Sequence, residues 1–121
     1  MKEDIKDIKV LNETYNLLKW FGVLLKEFPR NHRYGLGLKI EDTLYDIFHL
    51  LLEARYSKDK LSLLCKANLE LEYSRFLIRL ANDLHLFTNK QQYAYIMQMD
   101  SIGKQIGGWI KSIKSDIDIT G

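Results

Sequence analysis

The segment FPRNHRYGLG, residues 28–37, contains the only proline of the 121-residue chain and decides how the chain divides into helices. Proline has no backbone N–H and keeps the residue before it out of the α region, so we expect a helix to end near Phe28. Asn31 is a residue type that caps helices, and we expect it to cap the next one. Neither proline nor a glycine-rich linker interrupts the rest of the chain, which predicts long helices elsewhere.

Apolar residues recur at intervals of three and four along most of the chain, which is the period of an amphipathic helix. The pattern predicts four helices, at about residues 5–28, 32–56, 58–86 and 89–114. The connections between them are short, and helices joined by short loops pack side by side in opposite directions. The predicted fold is therefore all-α: one domain, folded as an antiparallel up-down-up-down four-helix bundle.

Each predicted helix carries an apolar stripe that would face the core. The stripes of the second and third helices are Gly37, Ile40, Leu44, Ile47, Leu51 and Ala54, and Leu64, Ala67, Leu71, Ser74, Ile78 and Ala81. The first helix has two adjacent stripes, more than a monomeric bundle needs. One consists of Ile8, Leu11, Tyr15, Leu18, Gly22 and Leu25, which we take as the bundle seam. The other consists of Val10, Leu17, Phe21, Leu24 and Phe28, and is either the flank of a deep core or partly buried in a homo-oligomer.

Two helix starts and one glycine-rich stretch add local expectations. Ser57 is expected to cap the third helix, and Thr88 with Gln91 reads as a capping box at the start of the fourth. Glycines inside a helix cost about 1 kcal/mol each relative to alanine, so those in the fourth helix call for a reason. We expect Gly103 and Gly107 to allow close helix approach, with the neighbouring Trp109 as an apolar anchor.

Composition narrows the class of protein. The chain is 46% hydrophobic and 28% charged, as in folded globular proteins, and no apolar run is long enough to span a bilayer. The first residues are mixed in charge and do not resemble a signal peptide. Cys65 is the only cysteine, which excludes an intrachain disulfide and favours a reducing, cytoplasmic location.

Charge is unevenly distributed along the chain. The formal net charge is only +2, but acidic residues are concentrated at the two ends: Glu3, Asp4, Asp7, Asp116 and Asp118. The segment between these ends is therefore more basic than the chain as a whole. A basic body is compatible with a polyanionic partner such as nucleic acid.

The sequence offers few residue patterns that are typical of catalytic or metal-binding sites. The histidines, His32, His49 and His85, are widely separated, and none has a ligand partner at metal-binding spacing. His49 is expected in the core or at an interface. Glu41, Asp42, Asp46 and Glu53 are expected to form a solvated helix face rather than a di-iron site. The sequence therefore predicts neither an enzyme nor a bound cofactor or metal.

The basic residues form the best candidate site. They fall at the two turns and on the third helix: Arg30, Arg33, Arg55, Lys58, Lys60, Arg75 and Arg79. One interpretation is an ordinary surface in which Glu72 pairs with Arg75 and Asp83 with Arg79. The other is that oligomerisation repeats these residues into a strong positive field that binds a polyanion.

Five motifs, in order, resemble the accessory variability determinant (Avd) proteins of diversity-generating retroelements. They are FPR-x-x-RY-x-LG at 28–37, IEDTL at 40–44, LEA-x-YS at 52–57, ANL-x-LE at 67–72 and G-x-x-IGGW at 103–109. The similarity covers about residues 10–114. Small four-helix proteins encoded in ribosomal RNA intervening sequences share the Phe-Pro junction and remain an alternative, as does a helical scaffold whose only partners are proteins.

The resemblance implies a four-helix bundle that assembles as a homopentameric barrel, a ring-like homo-oligomer. It also implies binding to the element's reverse transcriptase and to nucleic acid, RNA or cDNA, with no catalytic activity and no membrane partner. In that role the protein would support mutagenic copying of a template RNA. The family's basic positions are matched by Arg30, Arg33, Arg55, Arg75 and Arg79, to which we add Lys58. The acidic ends lie outside the resemblance, and whether they shield this surface is open.

Overall fold

The computed structural model describes the backbone of residues 2–120 and the side chains of residues 7–117. Within this part of the chain all regular structure is helical. The four long helices are α1 (Lys2–Leu25), α2 (Leu38–Tyr56), α3 (Lys60–Asp83) and α4 (Asn89–Thr120). None of the helices in the described part of the chain combines the length and the apolarity that crossing a membrane requires.

Contacts between the helices show that neighbours run antiparallel. Glu27, just past the end of α1, accepts a hydrogen bond from Gln91 at the start of α4 at 3.1 Å, whereas Glu13 accepts one from Ser101 at 2.8 Å. Contacts of the same kind show the same reversal for the pairs α1–α2, α2–α3 and α3–α4. The prediction of four helices packed as an up-down-up-down bundle is confirmed.

The core contains the stripes predicted for α2 and α3, every residue of which is buried. In α1 the second stripe forms the core, and Leu11 is the one residue of the presumed seam that is also buried there. The stripe from Val10 to Phe28 is the core, whereas Ile8 and Tyr15 of the presumed seam are 42% and 55% exposed. The assignment of the α1 seam was therefore wrong. The reason is that Phe21 and Phe28 turn this stripe toward an aromatic cluster, which fixes the rotation of the helix.

That aromatic cluster closes one end of the bundle. The ring of Phe21 packs edge-on against those of Phe28 and Tyr95, at centroid distances of 5.9 and 6.0 Å, and Phe87 contacts all three. Tyr95 is fully buried, and its hydroxyl is hydrogen-bonded to Ser74 at 3.1 Å. Burial raises the pKa of Tyr95 far above its usual value. The cluster therefore ties α1, the turn before α4 and α4 together.

The junction around the proline differs in detail from the expectation. The regular part of α1 ends at Leu25, and three i to i−3 hydrogen bonds carry the chain on to Phe28. Helix resumes at once in a single turn, Arg30–His32, which is followed by a π-helical turn, Arg33–Gly37. Asn31 lies inside the first turn and does not cap it, because Pro29, with its fixed φ, occupies the N-cap position.

Of the two other capping predictions, one is confirmed and one is wrong. The capping box is confirmed: the Gln91 amide N–H donates to Thr88 Oγ1 at 3.1 Å, and the Thr88 N–H donates to Gln91 Oε1 at 3.0 Å. Ser57 does not cap α3, which begins only at Lys60. Its hydroxyl instead accepts from the Asp59 N–H at 3.0 Å, within the loop.

α3 ends earlier than expected, in a left-handed residue. His85 has φ of 59°, and the N–H groups of His85 and Leu86 donate back to Asn82 and Ala81, both at 2.9 Å. This is the Schellman arrangement that usually places glycine at this position, here with histidine instead.

The glycines of α4 are not equivalent. A Cβ at Gly103 would lie 3.2 Å from Leu71 and Arg75 of α3, so this glycine does allow close approach. A Cβ at Gly107 would meet nothing within 4 Å. The expectation that Gly107 allows close helix approach was therefore wrong. Trp109 is buried, as expected of an anchor.

Candidate polyanion-binding surface

The basic residues predicted as a site do not form one patch. Arg30 and Arg33 lie at the proline junction, Arg55 and Lys58 lie at the opposite end of α2, and Arg75 and Arg79 lie on α3. The first two pairs are separated by the 19 residues of α2, which corresponds to about 28 Å at the usual helical rise. The first two pairs therefore lie at opposite ends of the bundle.

The side chain of Arg33 stabilises the proline junction through hydrogen bonds to the backbone. Its Nη2 donates to the carbonyl oxygens of Lys26 at 2.9 Å and Phe28 at 3.2 Å. These carbonyls follow the end of α1 and have no helical partner, so a cation there completes the helix end. Arg30 is exposed, and its side chain makes no hydrogen bond or ion pair among the described residues.

Arg55 is engaged by the acidic N-terminal segment. Its Nε lies 3.9 Å from the carboxylate of Asp7, its guanidinium lies 5.7 Å from the ring centroid of Tyr56, and its side chain is only 25% exposed. The other N-terminal acids, Glu3 and Asp4, lie outside the described side chains. The acidic end therefore shields one of the candidate arginines.

Of the two lysines that follow α2, one completes the end of the helix and the other is exposed to solvent. Lys60 donates from Nζ to the carbonyl oxygens of Ala54 and Arg55, at 2.8 and 2.9 Å, and so completes the end of α2. Lys58 points into solvent without a partner in the described part of the chain.

Arg75 and Arg79 differ more than their spacing suggests. Arg75 Nη1 contacts Asp100 at 2.8 Å, and Nε lies 3.2 Å from Glu72 without hydrogen-bond geometry. The Glu72 pair is confirmed, and Arg75 also joins α3 to α4. Arg79 is exposed, and its predicted pair with Asp83 is not among the ion pairs of the described residues. The two arginines therefore differ, because Arg75 is held by Asp100, 25 positions away.

Exposed lysines on α1 and α4 were missed at the level of the sequence. They are Lys9, Lys19, Lys90, Lys104 and Lys111, and Lys19 lines an open cavity where Gln91 of α4 meets α1. A signal for them exists, since positions 90, 97, 104 and 111 are seven apart and therefore share one side of α4. Met97 at the second of these positions lines a cavity next to α1, which places that side against the groove.

Groups suited to metal binding do not converge in the described residues. No set of three or more His, Cys, Asp or Glu side chains there could hold a metal ion. His49, expected in the core or at an interface, is exposed and lies 3.6 Å from Glu53, one turn away on the same helix. The acidic residues of α2 lie on its outer side as expected, with Glu41 partly covered.

Comparison with known proteins identifies a family. A family model described as bAvd-like matches residues 9–113, which is most of the chain. The matched span coincides with the part of the sequence that carries the five motifs. No curated protein matches the chain.

Proposed function

The chain belongs to the bAvd-like family, and on that premise we propose that it is a non-catalytic, cytoplasmic accessory protein of a diversity-generating retroelement. In this role it forms a ring-like homopentamer, binds the element's reverse transcriptase and binds nucleic acid, and so supports mutagenic copying of a template RNA into cDNA. The family match over residues 9–113 is the observation that carries this proposal.

The state of the basic residues supports the nucleic-acid part of the proposal. Arg30, Lys58 and Arg79 are exposed, and the structure assigns them no ion pair among the described residues. Guanidinium and ammonium groups without carboxylate partners are free to contact phosphates. They are spread along the bundle, so one subunit binds weakly. A ring repeats each of them in every subunit and so adds up their contributions.

Nucleic-acid binding by these residues is tested with the variant Arg30→Ala/Lys58→Ala/Arg79→Ala. Each phosphate contact that is lost reduces the number of counterions released on binding. We therefore expect weaker binding to any RNA and a shallower dependence of log K on log salt. Fluorescence titrations of a labelled RNA at several salt concentrations measure both quantities. All three positions are exposed, so the free energy of unfolding should change by less than about 0.5 kcal/mol per site.

The matched control is Arg30→Lys/Lys58→Arg/Arg79→Lys, which keeps every charge. We expect it to retain the salt dependence of the wild-type chain, because phosphate neutralisation depends on charge rather than on side-chain shape. Unchanged affinity and salt dependence in the alanine variant would show that these residues do not bind nucleic acid.

A further inference from the structure

α3 carries a second apolar stripe on the side that faces away from the core. It consists of Leu69, Tyr73, Phe76, Leu80 and Leu84, all of which are between 41% and 68% exposed. The spacing of four, three, four and four is that of a helix that packs against another helix. A continuous row of large apolar side chains on a surface usually marks an interface. We call this row the apolar ridge.

Acidic side chains border the apolar ridge. Asp46 of α2 lines the same cavity as Leu69 and Glu70 of α3, so the outer side of α2 lies directly beside the ridge. Asp42 and Glu53 are four and seven residues from Asp46 and share its side of α2. Two lysines, Lys39 and Lys66, interrupt this border, which remains acidic overall.

A groove on another side of the bundle has complementary features. It runs between α1 and α4 and contains two open cavities of about 400 and 300 Å³. Trp20 and Val23 line the first cavity and Met97 lines the second, and Val23 is 64% exposed. We call this feature the α1–α4 groove.

The dimensions and the charges of the two features match. The cavities extend along α1 from Glu13 to Glu27, about 21 Å, and the ridge extends from Leu69 to Leu84, about 22 Å. Lys19 lines the groove together with two acidic residues, Glu13 and Glu27, and the other four exposed lysines described above lie on the same two helices. On its α2 side the convex apolar row has an acidic border, which complements a concave apolar groove whose two helices carry exposed lysines. On its α4 side Arg75 and Arg79 line a cavity, so this border is not acidic.

We propose that the apolar ridge of one copy of this chain lies in the α1–α4 groove of a second copy. This inference rests on the self-assembly proposed above and specifies the two surfaces that meet. α1 and α3 occupy diagonal corners of the bundle, so the ridge and the groove of one subunit point in different directions and cannot pair with each other. Contacts between two different surfaces continue from copy to copy and close into a ring where the rotation permits.

The inference is tested with one substitution on each surface. Phe76→Glu places a charge in the middle of the ridge, and Val23→Glu places one in the lining of the groove. We expect either variant alone to run as a 14.3 kDa monomer in light scattering at micromolar concentration. Tyr15→Glu is the matched control: Tyr15 is similarly exposed, at 55%, but lies on the α1–α2 side. This variant should assemble like the wild-type chain.

Mixing the two variants gives the decisive result. Phe76→Glu keeps an intact groove and Val23→Glu keeps an intact ridge, so an equimolar mixture can form one contact and no more. We expect a dimer of one copy of each, about twice the monomer mass. Formation of this dimer also shows that both variants are folded.

The alternative outcomes are distinct. A monomeric wild-type chain would overturn the proposed self-assembly and this inference with it. An assembled wild-type chain whose two variants also assemble would overturn the inference alone. Variants that assemble normally but lose RNA affinity would show that the groove binds nucleic acid instead of a second copy. Monomeric variants that form no dimer when mixed would show that the two surfaces do not meet each other.

Discussion

Phe21→Ala should lower the free energy of unfolding by about 3–5 kcal/mol, the usual cost of removing a buried aromatic ring. Phe21 is fully buried and contacts the rings of Phe28, Phe87 and Tyr95. Truncation therefore opens a cavity where three helical segments meet, and the neighbouring rings cannot collapse to fill it. Urea unfolding followed by circular dichroism, at one fixed protein concentration, measures the change.

The matched control for this loss is Tyr34→Ala. Tyr34 is an aromatic residue of the same end of the bundle, but it is 71% exposed. Truncation there should change the free energy of unfolding by less than about 0.5 kcal/mol. Equal losses in the two variants would contradict the assignment of the aromatic cluster as the core of this end.

Gly37→Ala is expected to be the second most damaging single change. An added Cβ would overlap Leu25 Cδ1, would lie 2.9 Å from Phe28 Cδ2 and 3.2 Å from the carbonyl oxygen of His32. The leucine end can move, but the Phe28 ring is buried in the cluster and the carbonyl belongs to the backbone. Overpacking of this kind costs about 1–3 kcal/mol.

Gly35, two residues earlier in the same π-helical turn, provides the comparison. A Cβ there would meet nothing within 4 Å, and its φ is not in the left-handed region. Gly35→Ala should therefore be neutral or stabilise the protein by up to about 1 kcal/mol, since it restricts the unfolded chain. The two variants are compared by their urea midpoints. A Gly37→Ala variant as stable as Gly35→Ala would show that the junction is loosely packed.

The parts of the fold that the sequence predicts correctly depend on short-range patterns. The buried stripes of α2 and α3 follow from spacings of three and four residues, and the Thr88–Gln91 box depends on two side chains one turn apart. The helix caps at Asn31 and Ser57 were wrong for a related reason. Capping requires a particular backbone conformation at the residue, and the neighbouring Pro29 and the loop before Lys60 set that conformation differently.

The rotation of α1 could not be predicted from its own residues. Both of its stripes have helical period, and a pattern of this kind does not say which of two adjacent apolar stripes meets the neighbouring helices. The rotation of α1 is set by the contacts of Phe21 with Phe87 and Tyr95, which are more than sixty positions away. The excess apolar surface that the sequence indicated is real, and its longest row is on α3 rather than on α1.

Long-range partners also explain why the candidate site was only partly predictable. Asp7 forms an ion pair with Arg55, and Asp100 forms one with Arg75, in both cases from a distant part of the chain. Arg33 completes a helix end. These contacts engage three of the cations that residue type alone had grouped together, and so distinguish them from the exposed ones. The lysines that border the α1–α4 groove were overlooked because they lie on two different helices.

The most direct test of the proposed role is co-purification with the reverse transcriptase of the retroelement that carries this gene. The two proteins are co-expressed, the complex is isolated through a tag on the reverse transcriptase, and its mass is measured by light scattering. The reverse transcriptase of an unrelated element serves as the control. We predict a stable complex that contains several copies of this chain and forms only with the element's own enzyme. A reverse transcriptase that elutes free of the chain, while the chain remains folded, would contradict the proposed function.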